Sequence, residues 1–395
     1  MSAVARVRAA AARRPHEAWL ALIVLFVLGA HLAIANIPRD RFVFDEAYYV
    51  PAAEAMIAGQ PANAEHPPLA KALIALSILA LGDHGIGWRL PSILAGTLAI
   101  VLLYLLTARL GDKKTALLAA FLLGFENLWF VHSSVAMLDI VAVALGLASL
   151  LLLVRGEWVM AGAVVGLSML AKESMGLLVG VAAAFVFLRR QPGTPVRQAL
   201  RQAGEAAFFV GAGALVVFMA GLQIYDSAYG GFPTAFHHVA HMVEYNRAIA
   251  AVPLSEAAGP LRWFSGFTPA PYFVTSTPIG KDLQQTYIQY VGQPNLVVVL
   301  LAWLALPAAI PLVRRRDPHA ALHVALFLLS WGFFIAVALV RITYPYYMLV
   351  MIPSLCAVVA AWLARFPRPV ILTYAVGVVA WFLFWFPVNL LSRVL

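Results

Sequence analysis

Residues 68–82, PLAKALIALSILALG, decide how this chain threads a bilayer. The run is apolar but short, follows the Pro67-Pro68 pair and carries Lys71. If it crossed a membrane, every later loop would change sides. Hydrophobic residues make up 63% of the 395 and charged ones 11%, more apolar surface than a water-soluble fold can hide. Apolar runs of roughly 17–22 residues recur along the chain, the length a helix needs to span a bilayer, and the alternation of a membrane β-barrel is absent. Spans are expected near 17–36, 90–110, 115–132, 138–154, 158–171, 175–188, 204–224, 296–313, 320–340, 345–364 and 369–388.

Basic residues choose between the two threadings. With 68–82 held at the outer face, the inner loops collect Arg109, Lys113, Lys114, Arg155, Arg189, Arg190, Arg197, Arg201, Arg314 to Arg316, Arg365 and Arg368, together with Arg6, Arg8, Arg13 and Arg14. The other choice puts most of these clusters outside, against the positive-inside tendency. The expectation is an all-α polytopic protein of one domain, 1–395, with about eleven spans. Its N-terminus is a retained, uncleaved span starting in the cytoplasm, and 68–82 is a juxtamembrane helix. The net charge of +9 lies in these topology-setting loops, so nucleic acid is not an expected partner; the lipid bilayer is. The single cysteine, Cys356, allows no disulfide framework.

This threading leaves two long outer segments, 37–89 and 225–295, and gathers most acidic residues outside. The first contains VFDEAYYVPAAEAMIAGQPANAEHPPLAK at 43–71. Asp45 and Glu46 open a helix there. Capping and the helix dipole would account for acids at that place, but aromatic and apolar neighbours also raise a carboxylate's proton affinity and suit a general base. Glu65 and His66 precede Pro67-Pro68. With Lys71 they read either as an interfacial helix start with a snorkelling lysine or as part of a site. Arg89 is an interfacial anchor or a bidentate phosphate ligand. Glu126 and Asp139 bracket a span end in FENLWFVHSSVAMLDI, and carboxylates inside apolar helices are functional candidates. Lys172-Glu173 is a local ion pair or a pocket element, and Arg341 opens the aromatic ITYPYYML. A divalent metal could use Glu65 with His66, or His237, His238 and His241, although adjacent ligands are a weak signal.

In this order the motifs resemble the protein O-mannosyltransferase family, polyprenyl-phosphate-sugar-dependent enzymes of the GT-C glycosyltransferase superfamily. Phe44-Asp45-Glu46, Glu65 through Lys71, Arg89-Leu90-Pro91-Ser92, the Glu126 and Asp139 pair, and Lys172 to Gly176 match successive family motifs. HHVAHMVEYNRAI, PLRWFSGF, YVGQPN and RITYPYYML match its C-terminal half. Glu173 stands where the family has Trp, Ser133-Ser134 where it has Ser-Arg, and Pro345-Tyr346-Tyr347 near its Tyr-His-Tyr. Segment 225–295 has no room for the soluble insert of eukaryotic members, which implies a minimal, prokaryotic version.

The resemblance implies a GT-C fold in the plasma membrane with its site on the outer face. It implies inverting transfer of a sugar, mannose in the family, from a polyprenyl-phosphate-sugar donor to Ser or Thr of an exported protein acceptor. Asp45 would be the base, with Glu46 orienting the site or holding the acceptor. Lys71, Arg89 and Arg341 would hold the donor phosphate, and Glu65, His66, Glu126, Asp139 and Lys172 would line or brace the pocket. The leaving group already carries its charge, so no metal is required. Family members often pair, which makes a dimer a candidate assembly. One alternative keeps the donor and changes the acceptor to a lipid or cell-wall glycan, as in lipid A aminoarabinose transferases. A transporter, the alternative of another class, would put its charges near the midplane in repeated halves.

Overall fold

A computed structural model describes residues 15–39, 41–251, 259–264, 269–278 and 284–387. Arg6, Arg8, Arg13 and Arg14 of the inner-loop reading lie outside them. The chain is helical nearly throughout. The helices are α1 (Pro15–Ile34), α2 (Glu46–Ile57), α3 (Leu69–Leu81), α4 (Gly85–Leu110), α5 (Lys113–Gly124), α6 (Asn127–Ser133), α7 (Leu138–Arg155), α8 (Trp158–Ala171), α9 (Leu178–Leu188), α10 (Val196–Tyr229), α11 (Ala235–Ala248), α12 (Leu296–Arg314), α13 (Pro318–Ala338), α14 (Ile352–Leu363) and α15 (Arg368–Phe384). Short 3₁₀ turns cover Glu173–Leu177 and Pro345–Val350.

Six of these helices, α1, α4, α7, α10, α12 and α13, are long and apolar enough to cross a membrane. The bent pair α5–α6 makes a seventh if counted as one span. The expected spans at 158–171, 175–188, 345–364 and 369–388 are shorter apolar helices, as is α3.

Three expectations are corrected. The run at 115–132 is two helices meeting at 63°, because the Glu126 carboxylate leaves the helix to accept the Trp129 and Asn295 amides at 2.7 and 2.6 Å. Helix α10 begins well before 204: the polar stretch QALRQAGEAA is rich in good helix formers, so the helix runs on where hydropathy stops. The architecture also includes strands. β1 (Ala270–Pro278) and β2 (Gln284–Gly292) pair antiparallel, in sequences rich in Val, Thr and aromatic residues that favour a pleated surface.

Close helix packing sets the shape around the site. Helix α8 crosses α10 through Gly162 and Gly166, where an added Cβ would lie 2.4 Å from the Val210 carbonyl and 2.6 Å from that of Ala214. Small residues of this spacing let helix backbones approach where lipid supplies no hydrophobic drive. At one end of the bundle Lys113 meets Glu17, and Lys114 donates to the Ala364 carbonyl at 2.7 Å. The opposite end carries α2, α3, α11 and the hairpin.

Candidate active site

Asp45 is placed by its predecessor. Phe44 has a φ of 54°, a left-handed conformation that costs an L-residue about 1–2 kcal/mol. Its ring stacks on Tyr272 of β1 at 4.1 Å and its amide donates to the Tyr272 carbonyl, so the hairpin holds the strained residue in place. Strain of this kind clusters at functional sites. Asp45 is the N-cap residue of α2, yet its side chain makes no capping hydrogen bond. It lines a polar cavity of about 350 Å³ instead, with Tyr49, Asn63, Glu65, His66 and Tyr346 among its neighbours. Burial there raises the Asp45 carboxyl to about 6, against the pull of the nearby Lys172 ammonium.

Glu46 faces the other way and is fully buried. One carboxylate oxygen accepts Arg89 Nε at 2.7 Å and the Ala136 amide at 2.8 Å; the other accepts Arg89 Nη2 and the Val43 amide, both at 2.8 Å. The remaining guanidinium nitrogen, Nη1, donates to the Ala35 and Ile37 carbonyls at 2.9 and 2.8 Å. This pair ties the end of α1, the start of α2 and helix α4 into one block under Asp45.

The three expected phosphate ligands separate. Arg341 reaches the polar cavity. Arg89 is consumed by Glu46, and Lys71 is buried with its ammonium on the Asn63 and His66 carbonyls and the Asn63 amide oxygen. Neither lines the cavity, because each is satisfied by nearer oxygens. Glu65 and His66 do line it. Asp139 and Lys172 form a buried pair at 2.6 Å, with the ammonium over the Tyr346 and Tyr347 rings at 5.3 and 4.9 Å. Glu126 is occupied in the α5–α6 break. His238 is buried on Asp226 and the Ala64 carbonyl. Among the described residues no three His, Cys, Asp or Glu side chains form a group that could hold a metal ion.

A second cavity of about 650 Å³ adjoins the first. It is walled by apolar side chains of α10, α11 and α13, among them Phe218, Met242, Phe333 and Val337. The two cavities share Lys172, Arg341 and Tyr347. The Arg341 guanidinium donates to the Tyr347 hydroxyl at 3.3 Å and to Asn246. An apolar slot therefore leads to two cations and then to a polar chamber containing Asp45. Tyr272, which the sequence places in an aromatic stretch of 225–295, and His132, which it does not single out, pack their rings with Phe44 and with the chamber-lining Tyr346; these come together only in three dimensions.

The family model for dolichyl-phosphate-mannose-protein mannosyltransferase matches residues 65–222. A polyprenol-phosphate-mannose–protein mannosyltransferase of Mycolicibacterium smegmatis is 26% identical over 145 residues, a match covering 34% of this chain and 28% of that relative. ArnT from Cupriavidus metallidurans, solved bound to undecaprenyl phosphate, superposes over 91% of this chain and 62% of its own, with a TM-score of 0.65 and 17% identity. This chain has the GT-C glycosyltransferase fold. The oligosaccharyltransferase of Archaeoglobus fulgidus shares the fold more distantly, with a TM-score of 0.53 and 13% identity over 93% of this chain and 54% of its own. The expected resemblance to the mannosyltransferase family is thus met over residues 65–222, the stretch that holds Glu65, His66, Lys71, Arg89, Glu126, Asp139 and Lys172.

Proposed function

We propose that this GT-C protein is an inverting glycosyltransferase that takes a sugar from a polyprenyl-phosphate donor. One observation carries the reading: the apolar slot and the polar chamber meet at Lys172 and Arg341. A polyprenyl tail fits the slot, its phosphate the cations, and its sugar the chamber beside Asp45. The undecaprenyl phosphate of the ArnT structure supports a lipid donor, and the mannosyltransferase relatives support mannose and a protein hydroxyl. The basic inner loops support an outer-face site in the plasma membrane.

In the reaction the acceptor hydroxyl oxygen attacks the anomeric carbon as the bond from that carbon to phosphate oxygen breaks. The hydroxyl proton passes to Asp45, and the polyprenyl phosphate leaves with the bonding electrons. Lys172 and Arg341 face the charge that grows on the leaving phosphate. Preorganised charge of this type is often the largest catalytic contribution. The Tyr346 and Tyr347 rings flank the Lys172 ammonium, and Asp139 fixes its position while partly offsetting its charge, which leaves Arg341 the larger share of the phosphate's charge.

Two measurements test this assignment. Arg341→Ala should cut kcat/KM for the donor roughly 10²-fold, the scale of removing one preorganised charge donor; unchanged donor dependence would remove Arg341 from the phosphate site. A general base works as the carboxylate, so with the Asp45 carboxyl at about 6 activity should fall as pH drops through 6 and level off above it. A profile flat from pH 5 to 8 would exclude titration of Asp45 in the rate-limiting step.

A further inference from the structure

The loop at 62–66 connects α2 to α3 and presents Asn63, Glu65 and His66 to the polar chamber. It has two sets of anchors. From α3, Lys71 holds the Asn63 and His66 carbonyls. From the far side, the Tyr225 hydroxyl accepts the Ala62 amide at 3.3 Å, and His238 Nε2 lies 3.0 Å from the Ala64 carbonyl. His238 Nδ1 is 2.9 Å from Asp226 Oδ1. Both side chains are buried, and neither lines the slot or the chamber. His238 sits at the first turns of α11, whose next residues, Val239, Met242 and Val243, wall the apolar slot.

We propose that His238, oriented by Asp226, is a positioning residue that fixes the 62–66 loop so that Glu65 and His66 face the sugar chamber. The inference rests on the transferase reading for its kinetic consequence, while its structural consequence stands apart from it. A carbonyl can only accept, so Nε2 carries the hydrogen and points at Ala64. Asp226 holds the ring by its other nitrogen and so keeps Nε2 aimed at the loop. Helix α11 has separate anchors in the Ala235 amide bonded to Gln223 Oε1 at 3.0 Å and in Met242, packed with Leu170, Phe218 and Leu222. Losing the His238 contact therefore frees the loop more than the slot wall.

The test compares His238→Ala, Asp226→Ala and Asp226→Asn in the full chain in detergent, with wild type as reference. An asparagine amide can donate to Nδ1 while the neutral imidazole still donates from Nε2, so Asp226→Asn keeps the latch and Asp226→Ala loses it. The first readout is hydrogen exchange of the Ala62 and His66 amides, which needs no catalytic activity. Exchange should quicken in both alanine variants and stay at the wild-type rate in Asp226→Asn. The second readout is transfer. In the alanine variants kcat should fall roughly tenfold or more, as small misplacements at a reacting centre do. The KM for lipid donor should stay within about threefold, since slot binding is retained. Unchanged loop exchange in His238→Ala overturns the latch, as does Asp226→Asn behaving like Asp226→Ala. A raised donor KM with intact kcat also overturns the positioning role. If His238→Ala does not fold, the Asp226 pair carries the comparison. If the wild-type chain transfers nothing, the transferase reading fails and the exchange result still judges the latch.

Discussion

Asp45→Asn should abolish transfer while leaving the protein folded and inserted. The side chain makes no capping bond to α2 and faces the chamber, so an amide of the same size removes the base and little else. General bases contribute about 10²–10⁴-fold, and loss on that scale is expected in kcat with an unchanged thermal midpoint. The fold should in fact tolerate the change well, because the burial that raises the Asp45 carboxyl to about 6 disfavours the charge that the amide lacks. Near-normal turnover in the variant would sink the base assignment.

Glu46→Ala and Arg89→Ala should produce the opposite pattern, a large loss of stability. The pair is buried with both carboxylate oxygens and all three guanidinium nitrogens engaged. Removing one partner strands a buried charge, at a cost of about 3–5 kcal/mol. The double variant should cost little more than either single one, since most of the penalty comes from the stranded partner. Arg89→Lys should also destabilise, because a lysine cannot reproduce the two-nitrogen fork. Unfolding in detergent followed by denaturant or heat measures all four. Small, additive losses, together with a raised donor KM in Arg89→Ala, would return Arg89 to the phosphate and contradict its role as Glu46's partner.

Much of this was legible in the chain itself. The apolar runs and basic loops point to a helical membrane protein, and the acidic residues of 43–71 mark the neighbourhood of the site. Residue pattern alone does not separate Asp45 from Glu46, which only the family resemblance assigns to different roles: two adjacent acids at a helix start look alike until the fold turns one toward a chamber and the other onto an arginine 43 residues away. For the same reason Lys71 and Arg89 look available for phosphate in sequence. Their partners are backbone carbonyls and a distant carboxylate, which no spacing rule reveals. The α5–α6 break follows Gly124, but an isolated glycine is tolerated inside an apolar helical run, so the run reads as continuous. His238 draws attention as one of three clustered histidines, but its partner is Asp226 on the preceding helix. The slot is visible only once α11 and α13 are placed side by side, since a greasy helix face reads the same whether it meets lipid, protein or a polyprenyl chain.

The central claim is that the slot and chamber bring a polyprenyl-phosphate sugar to Asp45. The most direct measurement is transfer of radiolabel from polyprenyl-phosphate-mannose in membranes containing the wild-type chain, with products divided into protein-linked and lipid-linked fractions. Label in the protein fraction, absent when Asp45→Asn replaces the wild type, is the predicted result. Label confined to the lipid fraction would move the acceptor to a lipid and leave the donor site standing. No transfer to either fraction from any polyprenyl-phosphate sugar, by a chain shown to be folded and inserted, would contradict the account.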